Sequence, residues 1–212
     1  MSALVLYDNS ISSNCLKVRF LLAELGLAYE RRPVGFAWPR PEEYEELNPF
    51  GRLPTLVDGG LVLGESNAIL RYLADREGRA DLYPTDPAGR APVEWALDAW
   101  ATQVRPAFLA AEDVALMATG NWDDGGGRWE DADQDALKAA LEKTTAALER
   151  FEPFTADNGT MLGTFTIADC CAAPVLWRSL RYPLDLGPFP KTARLRDALG
   201  SHPSFLAAGP VA

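Results

Sequence analysis

The sequence predicts a mixed α/β N-terminal half followed by an all-helical C-terminal half. Residues 1–80 alternate short apolar runs with stretches of helical periodicity, and the β-type runs become rare after Pro87. The chain has 212 residues, of which 48% are hydrophobic and 24% charged, so it can bury a substantial core in one or two small domains. We therefore predict domains at residues 1–80 and 87–212, joined by a linker at 81–86.

The element order predicted for the N-terminal half is β-α-β-α-β-β-α, which makes a small mixed sheet with helices on its faces. The first strand is the apolar run Ala3–Tyr7. A polar turn and an amphipathic helix follow, and Gly26 suits the position just after that helix. The later elements are a strand within 28–34, a short helix after Pro41, two strands flanking Gly59-Gly60, and a helix over 66–77.

The C-terminal half is predicted to consist of helices and loops. A helix over 92–119 should be kinked or split by Pro106. A glycine-containing loop at 121–128 precedes a strongly amphipathic helix over 133–151. An apolar helix over 166–180 should be bent or broken at Pro174.

The charge balance argues against nucleic acid and membrane surfaces as partners, because the net charge is −10 and no basic patch is present. Residues 1–80 hold 11 acidic and 9 basic residues, net −2; residues 81–212 hold 19 and 11, net −8. A small anionic ligand is therefore expected on the N-terminal half. No apolar stretch reaches the ~18 residues of a membrane span, and the N-terminus does not resemble a signal peptide.

The cysteine and histidine counts favour a reduced, cytoplasmic protein without a metal site. The chain has three cysteines, two of them adjacent, which does not suit a secreted disulfide framework. Its one histidine, His202, is far in sequence from any cysteine pair. The sequence therefore offers few residues that could form a metal centre or a Cys-His nucleophile.

One local motif predicts a site for an amino-acid head group. Ser66 stands where a helix begins, so its hydroxyl and the nearby free amides can bind a carboxylate. Glu65, next to it, can hold an ammonium group. In Asn48–Pro54, a cis Leu53-Pro54 bond would turn the backbone of Leu53 towards an extended ligand.

A second motif, Gly163–Cys170, contains a capping box in which Thr166 and Asp169 satisfy each other's backbone amides. We interpret it as a device that fixes the start of a helix, with a role in folding rather than catalysis.

Four segments of the sequence carry a family resemblance: Ser12–Arg19, Asn48–Pro54, Glu65–Leu70 and Phe165–Asp169. In this order, and spread over about 155 residues, they together resemble the cytosolic glutathione S-transferase family, of the bacterial theta- or phi-like kind. The resemblance implies a thioredoxin-like N-terminal domain, a helical C-terminal domain, a homodimer, and glutathione as ligand and co-substrate with no other cofactor.

Glutathione reacts as a thiolate. One hydroxyl donor at a helix start is about sufficient to stabilise that thiolate near neutral pH. A thiol with a pKa of ~8.5 needs ~2.7 kcal/mol of preferential stabilisation for a shift of ~2 units. A partly buried helix N-terminus supplies up to ~2 kcal/mol and a hydrogen bond to a charged acceptor ~1.5–3. In the resemblance, the activating serine lies six residues before the valine of Lys17-Val18, which gives Ser12.

Other residues could donate the hydrogen bond to the sulfur, and the position of one cysteine argues against a reductase activity. Ser10 and Ser13 are alternative donors to Ser12, and Asn14 could donate a second hydrogen bond to the sulfur. Tyr7 ends the first strand, where other classes of the family carry an activating tyrosine. Omega- and beta-like relatives place a cysteine where this chain has Ser12. Cys15 lies three residues later, inside the helix, so we expect it to be a packing residue rather than the cysteine of a mixed-disulfide reductase.

For the rest of the ligand, the resemblance assigns the γ-glutamyl head to Ser66 and Glu65, the cysteinyl backbone to Leu53 beside Pro54, and the glycyl carboxylate to Arg52, alone or with Arg40. The second substrate is expected to be an apolar electrophile. Candidate lining residues for it, which could equally be core, are Trp95, Trp100, Phe108, Leu116 and Met117.

The function predicted is a detoxifying glutathione transferase, in which the glutathione thiolate is added to an apolar electrophile. Two alternatives remain: another glutathione-dependent enzyme, namely an isomerase, lyase or peroxidase, or a glutathione-binding module without turnover.

Overall fold

The computed structural model describes residues 4–118, 120 and 126–210. Its sheet has four strands in the order β2-β1-β3-β4, with β1 and β2 parallel and the other two pairings antiparallel. The Gly59-Gly60 hairpin is confirmed between β3 and β4. The strands are β1 (Leu4–Asp8), β2 (Tyr29–Pro33), β3 (Thr55–Asp58) and β4 (Leu61–Leu63).

Three helices complete the N-terminal domain, which is thioredoxin-like as expected. Alternate residues of β1, Leu4 and Leu6, are buried, in a cluster that also includes Leu21 and Leu70 of the two longer helices. These two helices therefore have their first turns fixed by the core. The three helices are α1 (Ser13–Glu24), α2 (Glu42–Leu47) and α3 (Ser66–Arg76).

The regular elements of the C-terminal domain are all helices in its described residues, joined by loops. Two wider helical turns, Trp100–Val104 and Asp113–Met117, follow α4 and α5 without a break in the helical path. The helices are α4 (Pro87–Ala99), α5 (Arg105–Glu112), α6 (Gln134–Phe151), α7 (Ile167–Arg178), α8 (Pro190–Gly200) and α9 (Pro203–Ala207).

Proline positions explain where this domain departs from the sequence prediction. The first helix begins at Pro87 rather than 92, because Asp86 accepts a hydrogen bond from the amide of Gly89 and so caps an earlier turn. Pro106 lies in the first turn of α5, just after a wide turn. Pro174 does not break α7, which runs on to Arg178.

The two domains share one hydrophobic core. Helix α1 packs against α7 and α9, and one buried cluster contains residues of both domains. The predicted capping box is present at the start of α7: Asp169 accepts a hydrogen bond from the amide of Thr166 at 2.8 Å. Helix α1 is therefore held against the helical domain.

Three sequence predictions lie partly outside the described residues: Ala3 as a strand residue, the end of the helix predicted to reach 119, and 121–125 of the glycine-containing loop. In the described ranges, no helix combines the length and apolarity that a membrane crossing requires.

Candidate functional site

A cavity of about 420 Å³ opens on the N-terminal domain beside the start of α1. Seven of the eight residues predicted for the site contribute to its wall, although they are separated by up to 54 positions in the sequence. The wall consists of Ser12, Asn14, Phe36, Trp38, Arg40, Arg52, Leu53, Glu65 and Ser66.

Ser12 caps α1 and is partly exposed to this cavity. Its backbone is extended, and its hydroxyl oxygen accepts a hydrogen bond from the amide of Cys15 at 3.3 Å. The preceding turn is fixed by Arg19, which donates to the carbonyl of Ser10 at 3.1 Å, and by Asn9, which donates to Val34 at 2.9 Å. The hydroxyl of Ser12 thus lies beside the open amides of a rigid helix start.

The structure separates the competing donors. Asn14 lines the cavity, as does Ser12. Ser10 is exposed and is not part of the wall, and Ser13 faces the helical domain, where its hydroxyl accepts a hydrogen bond from Arg105 at 3.3 Å. The hydroxyl of Tyr7 accepts from Arg32 at 3.0 Å and belongs to a different surface pocket.

Glu65 and Ser66 lie together at the start of α3. Glu65 has a φ of 56°, the only non-glycine residue in this left-handed region among those described. A non-glycine residue held there costs roughly 1–3 kcal/mol and persists where the surroundings fix it. Ser66 is the first residue of the helix and is buried except for its cavity face. The pair presents a carboxylate and a helix start to the same space.

Leu53 supplies a backbone edge to the cavity, and the Leu53-Pro54 bond is cis. Among the described residues, neither the N–H nor the C=O of Leu53 has a hydrogen-bond partner, so both can pair with an extended ligand. Pro54 is buried behind this edge and does not line the cavity. Arg52 is exposed at the rim.

Arg40 has a different character from Arg52, because it is buried and holds the loop around it. Its guanidinium donates to the carbonyls of Gly51, at 3.1 Å, and Gly35, and lies 4.8 Å from the centre of the Trp38 ring. Gly51 has a φ of 58°, and a Cβ there would lie 2.4 Å from the Trp38 ring. The cavity wall at Trp38 therefore depends on the absence of a side chain at Gly51.

The three cysteines are free and buried. Burial, together with the nearby charge of Asp8, raises the pKa of Cys15 to about 12. Cys15 is therefore a protonated packing residue. Burial also raises the pKa of Cys170, whereas the thiol of Cys171 lies 3.6 Å from the ammonium of Lys17.

The residues considered for the second substrate do not line this cavity, and Met117 among them is exposed. Trp100, Phe108 and Leu116 are core residues with at most 1% exposure. Trp95 is exposed and packs on Phe154, with 4.9 Å between the ring centres. The apolar part of the cavity wall is supplied instead by Phe36 and Trp38.

Sequence reasoning missed two residues of the cavity wall and two cations near it. Phe36 and Trp38, of the wall, lie in an irregular segment whose path no periodicity specifies. Lys17 and Arg105 do not line the cavity; they come near each other because α1 packs against the helical domain, which no local pattern indicates. No cluster of three or more His, Cys, Asp or Glu side chains suited to a metal ion occurs in the described ranges.

The fold and the cavity define a class: a thioredoxin-like domain with a ligand site at the start of its first helix, followed by a helical domain. Residues 11–76 match the glutathione S-transferase N-terminal domain, and residues 99–203 match the glutathione S-transferase C-terminal domain. The chain belongs to the glutathione S-transferase family.

Individual relatives agree with this assignment. Maleylacetoacetate isomerase of Rattus norvegicus is 28% identical, covering 97% of this chain and 92% of its own. Glutathione S-transferase GstB of Escherichia coli is 30% identical, covering 95% of each chain. The theta class glutathione S-transferase of Xanthomonas axonopodis pv. citri, solved with glutathione bound, superimposes with a TM-score of 0.83 at 28% identity, over 100% of this chain and 98% of that one.

Proposed function

We propose that this protein is a glutathione transferase that binds glutathione in the cavity beside α1 and adds its thiolate to an electrophilic small molecule. The observation that carries the proposal is the convergence on one cavity of a hydroxyl at a helix start, a free backbone edge and a carboxylate beside a second helix start. These three features match a thiol, a peptide backbone and an amino-acid head group.

Each part of the tripeptide has a partner in this arrangement. The γ-glutamyl carboxylate binds the hydroxyl and amides at Ser66, and Glu65 binds the ammonium group. The cysteinyl unit pairs with the backbone of Leu53. The glycyl carboxylate pairs with Arg52, whose guanidinium is exposed at the rim; Arg40, already bonded to backbone carbonyls, shapes the wall there.

The chemistry follows from the placement of Ser12. Its hydroxyl donates to the glutathione sulfur, and Asn14 offers a second donor from the same turn. Both stabilise the thiolate, which attacks the electrophile; a carbon–sulfur bond forms, the leaving group departs with its electron pair, and the thiol proton goes to solvent. Glutathione is the co-substrate, and no other cofactor takes part.

Isomerisation is the second candidate, and a specific observation favours it. A relative matching 97% of this chain is named maleylacetoacetate isomerase. The same thiolate can add to a conjugated double bond and leave again after rotation about it, so the cavity needs no additional group.

Calorimetry with glutathione is the first test, and micromolar to low millimolar binding is expected. Turnover is then measured with chloro-dinitrobenzene and, separately, with maleylacetoacetate. Conjugation of the first compound supports the transferase; isomerisation of the second without conjugation supports the isomerase. Binding without either reaction leaves a glutathione-binding module, and no binding at millimolar glutathione refutes the whole proposal.

We further propose a cytoplasmic, detoxifying homodimer with domains at 1–80 and 87–212. Three free cysteines suit a reducing compartment. Trp95 and Phe154 are exposed around an apolar cavity of about 170 Å³ on the helical domain, and Phe50 is 80% exposed on the other domain. A second copy would cover them. Light scattering at micromolar concentration tests this: a monomeric mass refutes the dimer.

A further inference from the structure

Two cations at the domain interface have no carboxylate partner among the residues that the structure describes. Lys17 is 4% exposed, and its ammonium contacts the amide oxygen of Asn67 at 2.6 Å and the sulfur of Cys171 at 3.6 Å. The guanidinium of Arg105 donates to the hydroxyl of Ser13 at 3.3 Å. Burial lowers the pKa of both groups.

The three buried arginines are compensated, whereas Arg105, which is partly buried, has only the hydroxyl of Ser13 among the described residues. Arg40 is held by backbone carbonyls. Arg19 pairs with Asp8 at 3.2 Å, and Arg178 pairs with Glu112 at 2.7 Å. Glu112 acts on Arg105, and Glu65 on Lys17, only from farther away. A cation that is desolvated without a counter-ion is costly, and such costs concentrate at ligand sites.

Arg105 does not line the cavity, but its contact with Ser13 places it beside the start of α1, on the side of the helical domain. It begins α5 in the helical domain and reaches Ser13, the first residue of α1, whose neighbour Ser12 lines the cavity. The carboxylates of glutathione are already assigned to Ser66 and Arg52 at the other end. An anion bound by Arg105 is therefore a group of the second substrate.

We propose that Arg105 binds a carboxylate on the second substrate, so that this enzyme prefers anionic electrophiles to neutral ones. The inference rests on the proposed glutathione site. A guanidinium has five N–H donors in a planar fork, of which one is used by Ser13, and the remainder suit a carboxylate in bidentate geometry. Lys17, on α1 itself, is near enough to act on Arg105 electrostatically and adds to the positive potential there. Arg105 is thus a specificity-determining residue, while Ser12 acts on the sulfur.

A matched pair of conjugates tests the inference without requiring turnover. Glutathione conjugates of 4-chloro-3,5-dinitrobenzoate and of its carboxamide are prepared chemically, and their binding is measured by calorimetry. They differ in one charged group. The wild-type protein is expected to bind the carboxylate conjugate about tenfold more tightly, which is the order of a charge-assisted hydrogen bond.

Two variants of Arg105 test whether the preference for the carboxylate conjugate depends on this residue. Arg105→Gln should abolish the preference and leave glutathione binding within about twofold, while Arg105→Lys should retain part of the preference. Arg194→Gln is the control, because Arg194 is an exposed arginine on α8 that pairs with Asp157. It should retain the full preference. Melting temperatures verify that each variant is folded.

Kinetics separate this role from thiol activation. With the benzoate as substrate, Arg105→Gln should raise KM about tenfold and leave kcat little changed. With the carboxamide, both should be unchanged. A preference that survives in Arg105→Gln, or equal binding of the two conjugates by the wild type, would overturn the inference while leaving the glutathione site intact. Failure of glutathione itself to bind would instead refute the proposed function, and the inference with it.

Discussion

Helices α1 and α7 both begin at a hydroxyl-bearing cap, but the N-terminus of α7 is closed by a side chain of the protein and that of α1 is open to a cavity. At α7, Thr166 and Asp169 are 3% and 0% exposed, and Asp169 also accepts a hydrogen bond from the amide of Met161 at 2.7 Å. At α1, no acidic residue occurs in the first turn, and Ser12 faces a cavity. The chain's own carboxylate closes one helix start, and the other remains available for an anion.

The difference lies in one position of each helix. The third residue of α7 is Asp169, which returns to the cap, whereas the third residue of α1 is Cys15, a buried thiol that accepts a hydrogen bond from the amide of Asn9 and does not return to the cap. A helix start bears about half a positive charge, so a protein carboxylate and a ligand thiolate compete for the same role. Closing the start stabilises the fold, and leaving it open creates a binding site.

Removing the closed cap should have the largest effect. Asp169→Ala leaves the buried amides of Met161 and Thr166 without an acceptor, so the free energy of unfolding should fall by about 3 kcal/mol or more. Urea denaturation measures it. Asp133→Ala is the control: Asp133 caps α6 from an exposed position, and its loss should cost only about 1 kcal/mol. Equal losses in the two variants would contradict the distinction drawn here.

The closed cap also predicts a pH dependence. Burial raises the pKa of Asp169 to about 6, against an unfolded value of ~3.9. Between these values the native state binds more protons than the unfolded state, so this group's contribution to stability falls as the pH rises. The free energy of unfolding of the wild type, relative to Asp169→Asn, should decrease by about 2 kcal/mol from pH 4.5 to 7.5. A constant difference would show that Asp169 titrates normally.

The open cap should affect catalysis more than stability. Ser12→Ala removes a donor to the thiolate worth about 2 kcal/mol, so kcat/KM for chloro-dinitrobenzene should fall about 30-fold at pH 6.5. The deficit should shrink above pH 9, where glutathione ionises unaided. Stability should change by about 1 kcal/mol or less. Ser10→Ala, an exposed serine outside the cavity, is the control. Unchanged turnover in Ser12→Ala would move the donor role to Asn14.

The cavity wall opposite α1 gives the smallest effect. A Cβ at Gly51 would collide with the Trp38 ring, so Gly51→Ala should displace this wall and weaken glutathione binding about fivefold, or about 1 kcal/mol. Gly26→Ala is a matched control, because Gly26 has a φ of 64° but no atom within 4 Å of the added Cβ. It should lose stability only. Calorimetry with glutathione, together with melting curves, separates the two effects.

Much of the molecule could be predicted from local patterns. The capping box at Thr166 and Asp169, the Gly59-Gly60 hairpin and the division into a mixed and a helical half all follow from residues close together in sequence. Helix boundaries near prolines were less predictable. Pro174 sits within α7, which packs on α1 and α4. Tertiary packing there compensates for the lost hydrogen bond.

The residues of the site likewise divide into those that the sequence indicated and those that only the structure revealed. The sequence indicated Leu53, Glu65 and Ser66 through a short motif with its own backbone consequence. Ser12 was indicated by the family resemblance, which places the activating serine six residues before Val18. It gave no indication of Trp38 or Arg105. The first depends on a loop that wraps around Gly51, and the second on the docking of α5 beside α1.

By itself, then, the sequence determined the starts of the helices that carry clear capping motifs and which of those starts has its own carboxylate, and it predicted a small ligand site on the near-neutral half. Only the tertiary structure decided which helix start faces a cavity and which cations at the domain interface lack a counter-ion. The physical reason is range: capping and turn geometry depend on neighbours within about four residues, whereas burial and the potential at a site depend on residues brought together from distant parts of the chain.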